Sequence, residues 1–186
     1  MTLAMHYFGD PVLREKFELI PEVSNDIRAL AKEMIATMRA QNGIGLAAQQ
    51  IGRTEAICVV ELPAELDVDD AGERENPDWP MPLVLLNPEV KVLSDEAWTR
   101  EEGCLSFPDM SAKIQRPYSI EVRYMNLEGQ SITANAHGML ARVIQHEVDH
   151  LNGVLFIDRM SHVKRLALKG RLRKLREQTV AQLSTD

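Results

Sequence analysis

His146-Glu147-Val148-Asp149-His150 decides the reading of this 186-residue chain. Two imidazoles four residues apart on a helix rise from one face a single turn apart, the spacing at which one metal ion is held between them. The surrounding stretch, Gly138 to Asn152, reads as a helix ended by Gly153. On a wheel at 100° per residue, Met139, Val143, His146 and His150 fall within about 60° of one another, so the metal face continues as an apolar face. Leu140, Ile144, Val148 and Leu151 make a second apolar stripe, and a helix apolar nearly all round runs through the interior. Buried there, two histidines and two carboxylates need specific partners. Hydrogen-bonded core histidines are the rival explanation, and a metal site needs a third ligand.

Glu102-Gly103-Cys104-Leu105-Ser106 supplies one. Cys104 follows a glycine, which lets backbone approach a crowded site, and a nearby cation stabilises its thiolate. One thiolate and two imidazoles leave a fourth tetrahedral position for water, the arrangement of a catalytic site and not of a closed structural one. Cys58 lies inside the apolar run Ala56-Ile57-Cys58-Val59-Val60 and reads as core. A third segment, Gly43-Ile44-Gly45-Leu46-Ala47-Ala48-Gln49-Gln50-Ile51-Gly52, has the glycine spacing of a loop whose backbone comes close to something. It lacks the Gly-Lys-Ser/Thr of a phosphate loop, so a substrate wall is the better reading. One of its two adjacent glutamines can aim an amide at the reacting oxygen, and spacing alone does not choose which.

Working outward, a helix capped by Ser24, Asn25 or Asp26 runs to about Arg39, with Ile27, Leu30, Met34, Ile35 and Met38 on one stripe. Strands are expected over 55–61, 83–87 and 88–93, and over 118–126 and 131–136 joined through Gly129 as a hairpin. Leu62 to Pro82, acidic and carrying five Pro or Gly residues without periodicity, reads as an exposed loop of unassigned role. Strands grouped between helices without regular βαβ alternation give an α+β class, and 186 residues, 45% hydrophobic and 26% charged, suit one domain over 1–186. Met1 to Asp10 shows no targeting pattern and no apolar stretch is long enough to span a bilayer, so a cytoplasmic protein is expected. The net charge of −7 argues against a sequence-specific grip on nucleic acid. A basic helix at about 161–178 is the exception, holding Lys164, Arg165, Lys169, Arg171, Arg173, Lys174 and Arg176 beside a narrow stripe of Leu168, Leu172 and Leu175.

The three segments GIGLAAQQIG, EGCLS and QHEVDH together resemble, in order and spacing, the signature motifs of peptide deformylases of the bacterial type. The resemblance extends from about Asp10 to Arg159 and includes Asn87-Pro88 and Arg116-Pro117. It implies small antiparallel sheets packed around the central HExxH helix. It makes Cys104, His146 and His150 the metal ligands, Glu147 the general acid/base, and Gln50 rather than Gln49 the amide near the reacting oxygen. It implies removal of the formyl group from the N-terminal formyl-methionine of newly made polypeptides, with release of formate. The metal implied is one divalent ion per chain, ferrous iron physiologically, replaceable by zinc, nickel or cobalt.

That reaction suits these residues. A metal cation can bring the pKa of water toward about 7, so a metal-bound hydroxide attacks the formyl carbon. The Gln50 amide and the Leu105 backbone N–H stabilise the oxyanion, and Glu147 moves the proton from water to the leaving amine. The wheel places Glu147 and Asp149 symmetrically about the histidines; reach and motif favour Glu147. Met139 and Val143 line an apolar pocket for the methionine side chain, with Ile44 opposite, while Gly45 and main chain near Phe107 pair with the extended peptide. Arg116 is expected to pair with Asp149 and so orient the ligand helix. After Pro108 the chain reads Asp109-Met110-Ser111, where many members of the family carry Gly or Arg. An HExxH peptidase is disfavoured because it commonly takes a later third ligand, and a non-catalytic metal-storing or ribosome-associated protein has no need of an open site with both Glu147 and Gln50. The basic C-terminal helix suggests weak, salt-sensitive docking on ribosomal RNA without a part in the chemistry.

Overall fold

The computed structural model describes residues 2–185. A 3-10 turn at Pro11–Arg14 is capped by Asp10, whose carboxylate accepts from the Val12 N–H at 2.9 Å. Helix α1, Asn25–Ala40, starts where its cap predicts: the Ser24 hydroxyl accepts from the Ile27 N–H at 3.3 Å. Its expected stripe is its buried face, with Leu30, Met34 and Met38 fully inside and Ile27 and Ile35 partly so.

Seven strands follow among the described residues. They are β1 (Gly45–Ala47), β2 (Ile57–Val60), β3 (Leu83–Val92), β4 (Ala97–Gly103), β5 (Ser111–Pro117), β6 (Ser119–Met125) and β7 (Ser131–His137). An antiparallel sheet has the order β1-β2-β3-β6-β7, and β4 pairs with β5 in a separate ribbon. Every residue of β2 is buried, because both α1 and the later ligand helix pack on it. β1 pairs with β2 alone and is an edge strand.

The strands expected at 83–87 and 88–93 are one strand, β3, with a register shift between Leu86 and Glu89. Pro88 has no N–H to donate and Asn87 sits at φ 50°, so the chain bulges there and continues. The Asn87 side chain then substitutes for a strand neighbour: its oxygen accepts from the Ile20 N–H at 2.9 Å and its amide donates to the Ile20 carbonyl at 2.8 Å. Asn87→Ala is expected to lower stability by about 2–4 kcal/mol. About 1 kcal/mol is expected for each lost bond, with the rest coming from placing an alanine in the left-handed region. A urea midpoint shifted by less than the equivalent of about 1 kcal/mol would rule this out.

Helix α2, Gly138–Leu151, carries the two histidines. It stops at Gly153, whose φ of 70° and approach to the Arg14 carbonyl, 2.5 Å from where a Cβ would stand, leave room for glycine alone. Helix α3, His162–Leu183, is capped by Ser161 as expected and runs a turn longer than its sequence suggests. Its Leu172 is buried, and Leu168 and Leu175 pack on a second apolar cluster built from Leu13, Phe107, Met110, Ile114 and Phe156. Phe107 is gripped between Phe8, stacked at 5.0 Å, and Phe156, edge-on at 4.9 Å. Among the described residues no helix is long and apolar enough to cross a membrane.

The segment 62–82 is largely exposed as expected, but it is tied to the fold at a few buried points. Asp67 and Asn76 are buried, and Asn76 clips the segment to the chain entering α2, accepting from the His137 N–H at 2.9 Å and donating to its carbonyl at 3.2 Å. Trp79 donates its indole N–H to the Asn135 carbonyl at 2.9 Å. Polar side chains bonding to backbone hold it down, a device invisible to hydrophobic periodicity.

Candidate metal centre

Cys104 stands immediately after β4, at the start of the loop into β5, and α2 presents His146 and His150 beside it. The sulfur and one nitrogen from each ring lie within 4.8 Å of one another, with Cys104 Sγ 3.2 Å from His150 Nε2. His146 Nδ1 is engaged by Glu102 Oε2 at 3.1 Å, which leaves Nε2 for the site, the usual orientation of a metal-bound histidine backed by a carboxylate. Burial lowers the His146 pKa, but Cys104 and Glu102 on either side outweigh it and raise it to about 10. His150, buried next to His146, is pushed well below its ordinary value. These groups would have to give up protons to hold a cation, so metal affinity here would fall with acid. A thiolate and two imidazoles, closely spaced and backed by a carboxylate, fit a divalent transition metal.

Glu102 and Asp149 are held by a buried ionic network. Arg116, 3% exposed, donates Nε to Glu102 Oε1 at 2.7 Å, Nη2 to Glu102 Oε2 at 2.9 Å and Nη1 to Asp149 Oδ2 at 2.8 Å. The Arg116–Asp149 pair is therefore present, with two further cations around it. Arg142 Nη1 reaches Glu102 Oε1 at 2.5 Å and Arg159 Nη2 reaches Asp149 Oδ1 at 2.5 Å. Burial pushes the Glu102 carboxyl up, but His146 and Arg116 more than offset it and hold it well below the usual range. Arg116→Met is expected to cost about 3–5 kcal/mol, nearer the lower figure because Arg142 and Arg159 still face the two carboxylates. A loss below about 1 kcal/mol by chemical denaturation would show that the pairs contribute little.

Asp149 is thus fully occupied, whereas Glu147 is not. Glu147 is 4% exposed, and its Oε2 has no hydrogen-bond partner among the described residues. Burial raises its pKa to about 7 against the pull of His146 and Arg116. Its other oxygen lies so close to Gly45 that a Cβ at that position would overlap it. The edge of β1 therefore has to be glycine for Glu147 to sit beside the ligands.

The two glutamines are separated by their partners. Gln50 Oε1 accepts from the Ala47 N–H at 2.8 Å, which turns its amide nitrogen toward Cys104 Sγ at 3.5 Å and Ser106 Oγ at 3.4 Å. Gln49 instead donates to the Leu151 carbonyl at 3.3 Å. Gln50 lines a cavity of about 870 Å³ together with Ile44, Gly45, Leu105, Met139, Val143 and Glu147, so the residues singled out from sequence are brought to one place. Glu102, Arg142 and Tyr7 also line it and carried no role in the sequence reading. Arg142 had a usable signal: a lone cation on an otherwise apolar buried helix must have a carboxylate partner. Tyr7 had none.

The sequence model of the polypeptide deformylase family matches residues 3–166. A peptide deformylase of Opitutus terrae is 46% identical over 185 residues, covering 97% of this chain and 96% of that protein. Among solved structures, peptide deformylase from Ehrlichia chaffeensis superposes with a TM-score of 0.84 at 34% identity, covering 97% of this chain and 99% of that one. The enzyme from Synechococcus elongatus in complex with actinonin gives 0.78 at 38% identity, covering 93% and 85%. Similarity of this extent, carried on a fold with the same small antiparallel sheets around an HExxH helix, places the chain: it belongs to the polypeptide deformylase family, metal-dependent hydrolases that remove N-formyl groups from nascent peptides.

Proposed function

We propose that the whole chain is one catalytic unit that hydrolyses the formyl group of N-terminal formyl-methionine, with Cys104, His146 and His150 holding one divalent ion. Ferrous iron is the physiological choice implied by the family, with zinc, nickel or cobalt as substitutes. When bound, the cation supplies the positive charge that acidifies water and polarises the formyl carbonyl. The observation that carries the reading is Glu147, a buried carboxylate that lines the cavity beside Cys104 and His146 and has one oxygen without a hydrogen-bond partner among the described residues. A carboxyl raised by burial toward neutral pH can both accept a proton from water and return it to the leaving amine. Gln50, locked by Ala47, aims its amide N–H at the same side of the cavity, and the Leu105 backbone N–H lies next to the thiolate. Both are the oxyanion donors in this reading.

Val143 and Met139, one and two turns before His146, and Ile44 across the cavity form the pocket for the methionine side chain. Gly45 on the edge strand β1 offers backbone for an extended substrate. The test is formate release from a formyl-methionyl peptide measured against cleavage of the same peptide without the formyl group, with metal analysis of anaerobically purified enzyme. Cleavage of the unformylated peptide without formate release would make this an HExxH peptidase instead.

A cytoplasmic site of action and weak ribosome docking through the basic face of α3 complete the proposal. The helix is not independent of the active site: Arg171 donates to the Asp109 carbonyl and Leu172 packs in the cluster that holds Phe107. Docking is therefore tested by charge reversal at the exposed Lys169, Arg173 and Lys174, which leaves that packing in place. Ribosome co-sedimentation at low salt that survives the reversal defeats it.

A further inference from the structure

A second cavity, of about 440 Å³, adjoins the catalytic one. Tyr7 and Pro108 line both, so the two spaces meet at this pair of residues. The opposite wall of the second cavity is α3, through Leu175, Gln178, Thr179, Ala181 and Gln182. Positions 175, 178, 179 and 182 follow the i, i+3, i+4, i+7 spacing of one helix face. That face is uncharged, although α3 bears Lys164, Arg165, Lys169, Arg171, Arg173, Lys174 and Arg176 elsewhere along its length. Thr179 is 4% exposed with its hydroxyl bonded back to the Leu175 carbonyl at 3.0 Å, forming the floor, while the exposed Gln178 and Gln182 each bring an amide donor and acceptor to the rim. The walls are held in place. Gly9, two residues after Tyr7, lies against the Arg176 backbone, and Arg171 bonds the carbonyl of Asp109 next to Pro108.

We infer, building on the reading of the catalytic cavity above, that the substrate chain beyond its first residues crosses Tyr7 and Pro108 and lies in this groove, so that α3 supplies a subsite for the downstream peptide backbone. A cavity of about 870 Å³ is within the size range of small-ligand sites and holds the formyl-methionine with its nearest neighbours. A nascent chain is longer and has to leave the catalytic cavity, and the side lined by Tyr7 and Pro108 is the one that faces the second cavity. An uncharged groove with amide donors and acceptors suits a backbone of any sequence, which is the demand on an enzyme that meets every nascent chain. A strongly basic lining would instead select acidic segments.

The experiment compares a formyl-methionyl tripeptide with an octapeptide extended by uncharged residues, using the metal-loaded full chain. In wild type the octapeptide is expected to show a KM about fivefold lower at unchanged kcat, the signature of remote binding equal in ground and transition states. In Ala181→Trp, which fills the groove, and in the Gln178→Ala/Gln182→Ala double variant, which strips its rim, the ratio of the two KM values is expected to fall toward one. Three results would overturn the inference: no length dependence in wild type, a wild-type ratio in both variants, or equal losses on both peptides. Absence of formate release from the tripeptide would be a different failure, of the catalytic reading itself, and would take the groove down with it.

Discussion

Glu147→Ala is expected to keep its metal and lose turnover by about 10²–10⁴-fold, the range for removing a general acid/base. None of the three ligand side chains is altered, so metal content is the control that separates a chemical defect from a loading defect. Asp149 cannot take over. Although the helical wheel places it as symmetrically as Glu147, Arg116 and Arg159 occupy both of its oxygens. Of the two, Glu147 keeps an oxygen without a partner among the described residues, and the missing side chain of Gly45 is what leaves space for its carboxylate. The loss should fall on kcat with little change in KM, since the carboxylate acts on the water proton and not on methionine recognition. A metal-replete variant with near-normal kcat would remove Glu147 from the mechanism.

Cys104→Ser is expected to act one step earlier, on the metal. A serine hydroxyl is a poor neutral ligand where a thiolate stood, and the remaining two imidazoles bind a divalent ion far more weakly. The loss of affinity should exceed the roughly 10–100-fold typical of removing an outer partner of a ligand. Formate release should fall with metal occupancy, and the cobalt-loaded protein should lose the absorption that a thiolate ligand confers. Thermal stability should also lose most of its dependence on added metal, because a ligand stabilises the fold only while it binds the folded form. The fold itself is expected to survive: Cys104 is only partly buried, at the edge of the Phe107 cluster and outside the main core. An unchanged cobalt spectrum would exclude Cys104 from the ligand set.

The legible parts of the chain were those whose signal is local. α1 and α2 were readable from apolar spacing and caps, because a helix that buries one face must repeat that face every three or four residues. The candidate metal cluster of Cys104, His146 and His150 was readable because a four-residue spacing on a helix is already a geometry, and Cys104 stands out from Cys58 by its company of glycine and charge. The β4–β5 ribbon was not readable, for a physical reason. In β4 the buried position is Glu102, and in β5 the buried alternation of Ala112, Ile114 and Arg116 ends on a cation. The inward-facing residues include charges that neutralise each other across the ribbon, so the apolar alternation that marks a strand is missing from both sequences. The short edge strand β1 has no strand signature of its own, since three residues are too few to show a period.

The amino-acid sequence alone specifies the candidate chemistry: an HExxH helix that must be buried, a cysteine placed to join its histidines, a glutamine pair and a glycine-rich wall beside them. Those are properties of residue type and short spacing, and helix geometry translates them into positions without knowledge of the rest of the chain. Tertiary structure decided the choices between equals. Ala47 and Leu151 assigned different tasks to Gln50 and Gln49, and Arg116 with Arg159 withdrew Asp149 while Glu147 stayed free. Asn76 tied an acidic stretch down, and Tyr7 with Pro108 came to line both the catalytic cavity and the recess against α3. Each of these depends on partners tens of residues away in the chain, and a hydrogen bond or ion pair between distant residues leaves no periodic trace in either segment.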